Sequence, residues 1–251
     1  MKIATWNIQS NQGNPRDRLY QLMEHAVEQK YDLVMFQEVN LGLMDELGDG
    51  TITFPNWSFR TFREQINDRG LAYVFGSSDT TLTATTDPKY FSQSTFFNTP
   101  ENSRPPVFME YSYNTVGLAD DIPVTVFNWH NLHGYDANPM IKKLEEALTD
   151  SINANEHNDS LLVLGGDFNV TSFAGVDAGG RRTGILFKKA FGKISIPKGY
   201  DHLLTGRGNG EEKVTIDRID SHTLNPWGRD IDHFPLAGEV DELELMELFL
   251  A

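Results

Sequence analysis

Short apolar runs recur along the chain, and stretches with helical periodicity lie between some of them. Residues 2–6 alternate as a half-buried strand does, and residues 33–36 are continuously apolar, as in a strand covered on both faces. Between them, Asn14 followed by Pro15 is an N-cap and first-turn pair for a helix that extends to about residue 29. The pattern therefore predicts a β-α-β unit at the start of the chain. The buried stripe of its helix is predicted to contain Leu19, Leu22, Met23 and Ala26.

The rest of the chain contains more predicted strands than helices. Strands are predicted at residues 57–62, 71–75, 107–113, 124–128, 161–164, 214–219 and 234–240. Helices are predicted at residues 138–153 and 184–191. Because β-α-β spacing mixes with hairpin-like spacing, we expect an α/β fold of two packed mixed β-sheets with helices outside, and not a doubly wound parallel sheet. No linker or repeat divides residues 1–251, which predicts a single domain.

The chain has 251 residues and no cysteine. The missing thiols exclude disulfides, thiolate metal ligands and a cysteine nucleophile, but they leave the compartment open. The N-terminus has no apolar segment typical of a signal peptide, and no stretch is long enough to span a bilayer. We therefore expect a soluble chain, either cytoplasmic or the mature form of a secreted protein.

The formal net charge of −15 weighs against a nucleic-acid partner, because phosphate binding normally leaves a basic surface. One basic stretch, residues 181–198, softens this objection because it contains no Asp or Glu. The stretch is either a solvated helix face and loop or a patch that follows a phosphate backbone. Its basic residues are Arg181, Arg182, Lys188, Lys189, Lys193 and Lys198.

Polar residues follow several of the apolar runs directly. Glu38 ends the run at residues 33–36, where a charge is expensive to bury without a partner, and Asn7 ends the first strand. Glu38 either caps a neighbouring helix, pairs with a basic residue or, together with Asn7, binds a hard cation through oxygen ligands. Asp167 and Asn169 follow the strand at residues 161–164. They form either a plain turn or a site in which Asp167 acts on the attacking water and Asn169 holds a phosphate oxygen.

Two histidines stand beside predicted strands. His130 closes one strand, and Asp217 lies inside another; a bond between them would keep the imidazole protonated and able to donate to a phosphate oxygen or leaving group. Each residue also has a purely structural interpretation. Adjacent residues of an extended chain face opposite ways. We therefore expect His233 to take its carboxylate partner from Asp167 and Asp232 to face a metal.

Arg104 precedes two prolines that stiffen its loop, so it either presents a fixed guanidinium to a phosphate or is an ordinary exposed arginine. Four carboxylates are expected in the same region. They would repel each other strongly without a cation and imidazolium partners, which predicts a bound divalent metal such as Mg²⁺. These carboxylates are Glu38, Asp167, Asp217 and Asp232.

Taken in order, these motifs resemble the endonuclease/exonuclease/phosphatase superfamily. The motifs are Trp6-Asn7, Gln37-Glu38, Asn128-x-His130, Gly166-Asp167-Phe168-Asn169, Asp217-Arg218-Ile219 and Asp232-His233-Phe234-Pro235. Within that superfamily, Phe36-Gln37-Glu38 and Ser103-Arg104-Pro105 look most similar to the catalytic subunit of cytolethal distending toxin. The resemblance implies a four-layer α-β-β-α sandwich of two mixed β-sheets flanked by helices, with Mg²⁺-dependent cleavage of phosphate esters and Mn²⁺ as an alternative metal.

The resemblance also implies a role for each matched residue. Glu38 would be the principal metal ligand, assisted by Asn7 and Asp232. His130, supported by Asp217, would protonate or stabilise the departing oxygen, while His233 with Asp167 would activate water. Asn169 and Arg104 would bind phosphate. Which histidine is the acid and which the base stays open.

Departures from the family pattern bear on the substrate. Ile231 stands where a serine usually precedes the final Asp-His, and the Pro-x-Trp-x-Asp-Arg pattern of inositol polyphosphate 5-phosphatases is missing before Asp217. The leading hypothesis is a DNA endonuclease that nicks with little sequence preference. The alternatives are a phosphatase or phospholipase C-type hydrolase of phosphoinositide, sphingomyelin or another phosphodiester, and a non-catalytic interaction module. A delivery or regulatory subunit stays open.

Overall fold

The computed structural model describes residues 1–9, 13–64, 70–91, 104–114, 121–132, 137–153, 160–169, 201–207, 214–218, 233, 235–240 and 245. One sheet, called the first sheet, contains β1 (Lys2–Asn7), β2 (Leu33–Asn40), β3 (Trp57–Arg63), β4 (Leu71–Ser78), β11 (Val214–Arg218) and β12 (Leu236–Val240). Its strand order is β11-β12-β1-β2-β4-β3.

The second sheet contains β5 (Leu82–Ala84), β6 (Lys89–Tyr90), β7 (Val107–Tyr113), β8 (Ile122–His130), β9 (Leu161–Asp167) and β10 (Asp201–Arg207). Its strand order is β10-β9-β8-β7-β5, and β6 pairs with β7. In each sheet one pair of strands is parallel, β1 with β2 and β8 with β9, and the other described pairs are antiparallel. This arrangement confirms the predicted pair of mixed sheets.

Three helices are described: α1 (Pro15–Glu28), α2 (Leu41–Gly48) and α3 (Ala137–Asn153). Asn14 caps α1 and Pro15 lies at its start, and the four residues of the predicted stripe are buried, as expected. The pattern did not predict α2, because it begins directly after β2 and is only eight residues long. The predicted helix at residues 184–191 lies outside the described residues.

Three apolar clusters define the layers. One cluster joins α1 to β1, β2 and β4 and includes Leu22 and Phe36. A second fills the space between the sheets, and a third joins α3 to β8 and β9 and includes Leu144. The order is therefore helix, first sheet, second sheet, helix, as the sequence led us to expect. Among the described residues, no helix is long and apolar enough to cross a membrane.

Candidate active site

Inward-facing side chains of the two sheets change from apolar to polar at one end of the sandwich. Alternation places every second residue of a strand on the same face. Met35, Val126 and Val163 belong to the apolar cluster between the sheets. Further along these strands, and on the neighbouring strands β1 and β10, residues on the same face are polar. Those polar residues are Asn7, Gln37, Asn128, His130, Asp167 and Asp201, and all of them are buried. The alternation of the strands thus assembles a polar group at one rim.

Glu38 joins this group because of a break in the ladder. The pairing of β2 with β4 shifts between Phe36 and Val39, and Glu38 has a φ of +54°. A regular strand would turn Glu38 away from Gln37, towards α1, but a bulge changes the direction of the side chain. Oε1 of Glu38 accordingly lies 3.2 Å from Nε2 of His130, on the second sheet.

Asp167 lies at the centre of the group. Its Oδ2 accepts a hydrogen bond from Nδ2 of Asn7 at 3.0 Å, and its Oδ1 accepts one from the backbone N–H of Asn169 at 2.8 Å. Nε2 of His130 lies 3.8 Å from Oδ2, and Nε2 of His233 lies 3.5 Å from the same oxygen. Burial, and then the charge of Asp201, raises the pKa of Asp167 to about 7.

His233 has a closer carboxylate partner than the sequence suggested. Its Nδ1 lies 2.9 Å from Oδ2 of Asp201, while the expected partner, Asp167, is 3.5 Å from Nε2. Burial alone would lower the pKa of His233, but the hydrogen bond and charge of Asp201, followed by the charges of Asp167 and Glu38, raise it to about 9. The imidazole is therefore protonated at neutral pH.

Asp201 is a site residue that the sequence did not reveal. It begins β10, which runs antiparallel to β9, so Asp201 pairs with Asp167, the last residue of β9. The predicted site residues follow apolar runs, whereas Asp201 precedes the apolar pair Leu203-Leu204. A polar residue at the start of an antiparallel strand reaches the same rim, and this is the signal that could have identified it.

Arg104 is placed differently from the expectation. Instead of presenting its guanidinium on an open loop, it is only 2% exposed, and its Nε lies 3.1 Å from Oε1 of Glu64. Its Nη1 lies 3.2 Å from Nε2 of His130 and donates to the carbonyl of Asn131 at 3.3 Å. The reason is charge pairing: a buried carboxylate holds the cation inside, beside His130. Sequence analysis also missed Glu64, which follows β3.

The remaining expected site residues divide into two groups. Asn169 has a φ of +52°, and its Nδ2 donates to the carbonyl of Asn131 at 2.8 Å. Oδ1 of Asn7 accepts from the backbone N–H of Gln9 at 3.0 Å. The backbone of Asp217 pairs with Ala237 in the first sheet, but its side chain lies outside the described part, as does all of Asp232. Their proximity to the site stays a prediction.

The composition of this group fits a hard divalent cation. Glu38 supplies a carboxylate that is 16% exposed, and Asn7 supplies an amide oxygen with a second lone pair. Oxygen atoms of Asp167 and Asp201 also lie within 4.8 Å of one another, and a ring nitrogen of His233 lies within the same distance, where the protonated ring is a donor and not a ligand. Three carboxylates at one rim repel each other, which a cation relieves, and oxygen-rich ligand sets suit Mg²⁺.

Comparison with known proteins agrees with this geometry. A sequence model of the endonuclease/exonuclease/phosphatase family matches residues 4–235. The chain belongs to this family. Enzymes of the endonuclease/exonuclease/phosphatase family hydrolyse phosphoric esters with a divalent metal. The match confirms the resemblance at the level of the family, but the comparisons do not show the particular similarity to the cytolethal distending toxin subunit. A search of curated protein sequences found no match.

Several solved structures share the fold. TDP2 of D. rerio, complexed with a single-stranded DNA product, is 14% identical with a TM-score of 0.65. The match covers 95% of this chain and 97% of the TDP2 chain. A mannosyl-6-phosphatase of Bacteroides thetaiotaomicron is 13% identical with a TM-score of 0.58, over 96% and 99%. The human Nocturnin catalytic domain, with a bound sulfate, is 11% identical with a TM-score of 0.56, over 95% and 93%. At these identities, the similarity shows the fold alone.

Proposed function

We propose that this protein is a Mg²⁺-dependent phosphodiesterase that nicks DNA with little sequence preference. The observation that carries the proposal is the convergence of Glu38, Asp167 and two imidazoles at one rim. The distances from Glu38 to His130, from Asp167 to His130 and from Asp167 to His233 are all below 4 Å. Such a group contains an oxygen-rich metal site, a cationic donor and a carboxylate base within reach of one phosphate. Mn²⁺, which also takes oxygen ligands, is the alternative metal.

In this proposal Glu38 is the principal metal ligand, assisted by Asn7 and Asp232. A bound cation supplies Lewis acidity at a phosphoryl oxygen and offsets the charge of the neighbouring carboxylates. Glu38 is suited to this role because, of the rim carboxylates whose side chains the structure describes, it is the most exposed, whereas Asp167 and Asp201 are buried.

His233 and Asp167 divide the proton chemistry. Asp201 holds Nδ1 of His233, and the raised pKa of the ring keeps a proton on Nε2, from which it donates to a phosphate oxygen. A protonated imidazole is not a base, so Asp167 takes the proton of the attacking water. Its pKa of about 7 is close to neutral pH, where a general base is most effective.

His130 protonates or stabilises the departing oxygen in this scheme. Its Nε2 lies between Glu38 at 3.2 Å and Asp167 at 3.8 Å, beside the proposed principal metal ligand. Arg104 adds a buried positive charge 3.2 Å from the ring, and the electrostatic attraction of this charge stabilises the anionic transition state. The backbone N–H of Asn169 donates to Asp167 and orders the chain beside it. Asp217 stays the proposed second support of His130.

DNA is the proposed substrate for two reasons. The structurally similar TDP2 was solved with a single-stranded DNA product. The basic stretch at residues 181–198 would also follow a phosphate backbone in an otherwise acidic chain.

The test is nicking of supercoiled plasmid by purified protein with Mg²⁺. We expect conversion to open circles that is abolished by chelator and reduced roughly 10²-fold or more in Glu38→Ala and His233→Ala. Glu24→Ala and His25→Ala, which change the same residue types on α1, are the matched controls and should behave as the wild type. Nicking that is identical in all five proteins would disprove the proposal.

A small phosphate ester is the second candidate substrate. The net charge of −15 repels a polyanion, and a mannosyl-6-phosphatase shares the fold. A panel of plasmid, sugar phosphates, phosphoinositide and sphingomyelin, with Mg²⁺, Mn²⁺, Ca²⁺ or chelator, separates the two candidates. Release of inorganic phosphate or phosphocholine without nicking would favour the lipid or sugar ester. Weak metal binding with no hydrolysis would favour a non-catalytic interaction module.

A further inference from the structure

A buried polar network lies directly beneath the site, between the two sheets. Nε2 of Gln37, on β2, donates to Oγ1 of Thr5 at 3.0 Å and to Oδ1 of Asn128 at 2.7 Å. All three side chains are fully buried. The proposed roles above use none of them. Because buried polar groups are costly in an apolar core, their presence there needs a physical reason.

Asn128 connects the second sheet to the backbone of the first. Its Nδ2 donates to the carbonyl of Phe36 at 3.1 Å and to the carbonyl of Val74 at 3.2 Å. Phe36 and Val74 are the last regular pair of β2 and β4 before the shift that produces the bulge. The amide therefore binds the ladder at the point where regular pairing stops.

Gln37 fixes which way the Asn128 amide points. Since Oδ1 of Asn128 accepts from Gln37, its Nδ2 is directed at the two carbonyls. Thr5 holds the Gln37 amide from the neighbouring strand β1. The three residues form one connected set, in which each member orients the next.

We propose that Asn128, oriented by Gln37, is a positioning residue that holds the bulge and thereby aims Glu38 at the metal. Glu38 has a positive φ, a backbone conformation that a residue with a side chain keeps only when its surroundings enforce it. The amide binds the carbonyl of Phe36, two residues before Glu38, so loss of that bond releases the bulge. The inference rests on the proposed function, in which Glu38 is the principal ligand.

The experiment compares Asn128→Ala and Asn128→Asp with Thr125→Val. The aspartate keeps the shape of the side chain but loses both N–H donors. Thr125 is a buried polar residue of the same strand β8, and alternation points it to the opposite face, so it reports a general loss of core stability. Two quantities are measured: the Mg²⁺ concentration that gives half-maximal nicking, and the dissociation constant of Mn²⁺ for the protein without substrate, by calorimetry.

We expect both Asn128 variants to raise the half-saturating Mg²⁺ and the Mn²⁺ dissociation constant by roughly 10- to 100-fold. The KM for plasmid should change little, because Asn128 touches no substrate, and saturating metal should restore part of kcat. Thr125→Val should leave all of these quantities unchanged. A folded Asn128→Asp protein with wild-type metal affinity would overturn the inference.

Two further variants keep the test decisive. If the Asn128 variants do not fold, Gln37→Met and Thr5→Val must still weaken Mn²⁺ binding, and Gln37→Met should have the larger effect. Wild-type Mn²⁺ affinity in folded Gln37→Met would overturn the inference.

Glu38→Ala distinguishes failure of the proposed metal site from failure of the positioning role of Asn128. If Glu38→Ala binds Mn²⁺ as the wild type does, the proposed metal site is wrong. If it loses Mn²⁺ while Asn128→Asp keeps it, only the positioning role is wrong.

Discussion

The charge on His233 depends on its carboxylate neighbours. The proposed role of this imidazole needs a proton, and Asp201 is the hydrogen-bond partner that raises its pKa. In Asp201→Asn the neutral amide no longer offsets the effect of burial, which lowers the pKa of His233, so this pKa falls. We expect the alkaline limb of the pH–rate profile to move to lower pH by at least about one unit. Plasmid nicking across the pH range measures this, and the exposed Asp45→Asn is the matched control. An unmoved alkaline limb would contradict the role of Asp201.

The same groups link stability to pH. The pKa of His233 is about 9 in the folded protein against 6.5 for the free side chain, so its stabilisation is complete below pH 6.5 and is lost as pH rises through 9. The pKa of Asp167 is raised from 3.8 to about 7, so stability also falls between these values. We expect the free energy of unfolding to decrease by about 3 kcal/mol or more between about pH 6 and about pH 9.5.

Urea denaturation at both pH values measures this decrease. His233→Asn should remove the part of the pH dependence that is due to the imidazole, since the asparagine does not titrate, and leave the part that is due to Asp167. Saturating Mg²⁺ should counteract the fall, because a cation favours the ionised form of Asp167. A free energy that rises with pH in the wild type would show that the ionisation of His233 and Asp167 is not as described.

Single residues of the site differ in how far sequence reveals them. Asn7, His130 and Asp167 follow apolar runs, so the alternation of a strand places them at the rim and the sequence identifies them. Asp201 reaches the same rim from the start of an antiparallel strand, which depends on pairing between segments distant in sequence. The sequence therefore identified His233 but not the carboxylate that binds it. Strand pairing is a tertiary property, and hydrophobic periodicity within one segment carries no information about it.

At the scale of secondary structure, the close approach of β8 and β9 restricts one position to glycine. Gly166 has a φ of +141°, and a Cβ there would lie 1.9 Å from the carbonyl oxygen of Trp129. We expect Gly166→Ala to lower the free energy of unfolding by more than about 4 kcal/mol, because the backbone of both strands must move. Gly50 has a φ of +79° with nothing within 4 Å of a Cβ, so Gly50→Ala should cost only about 1–2 kcal/mol.

Urea denaturation of the two alanine variants separates backbone strain from steric clash. Equal losses in both proteins would mean that the contact with Trp129 relaxes at no cost. Nicking activity gives a second measurement, since Gly166 directly precedes Asp167. The folded fraction of Gly166→Ala should be inactive, whereas Gly50→Ala should retain wild-type activity.

Elements were predicted well where periodicity was clear and poorly where the backbone departs from it. The cap at Asn14 and the apolar stripe predicted α1 within one residue at its C-terminal end. The bulge at Glu38 has no signal in the apolar run before it, because Gln37 and Glu38 would fit a regular strand equally well. The sequence therefore identified Glu38 as a polar residue at the end of an apolar run. It did not reveal the bulge that directs the side chain into the site.

At the scale of the whole molecule, two stacked sheets bring distant segments of the chain to one rim. The mixture of β-α-β and hairpin spacing sufficed to predict two mixed sheets, and the apolar clusters show the layers that follow. The family followed from the order of the motifs, which the match over residues 4–235 confirms. The substrate did not follow, since each motif concerns phosphate and metal chemistry that substrates of this family share.

The net charge of the chain bears on substrate choice. If DNA is the substrate, the basic stretch at residues 181–198 must offset an overall charge of −15. Reversing Arg181, Arg182, Lys188 and Lys189 to glutamate should raise the KM for plasmid by roughly 10-fold or more, and added salt should weaken binding in the wild type more steeply than in the variant. The control reverses four exposed basic residues elsewhere, Arg16, Lys30, Arg63 and Lys89, for the same change in net charge. Equal effects in the two variants would mean that only the total charge matters, and no effect in either would mean that the basic stretch is merely solvated.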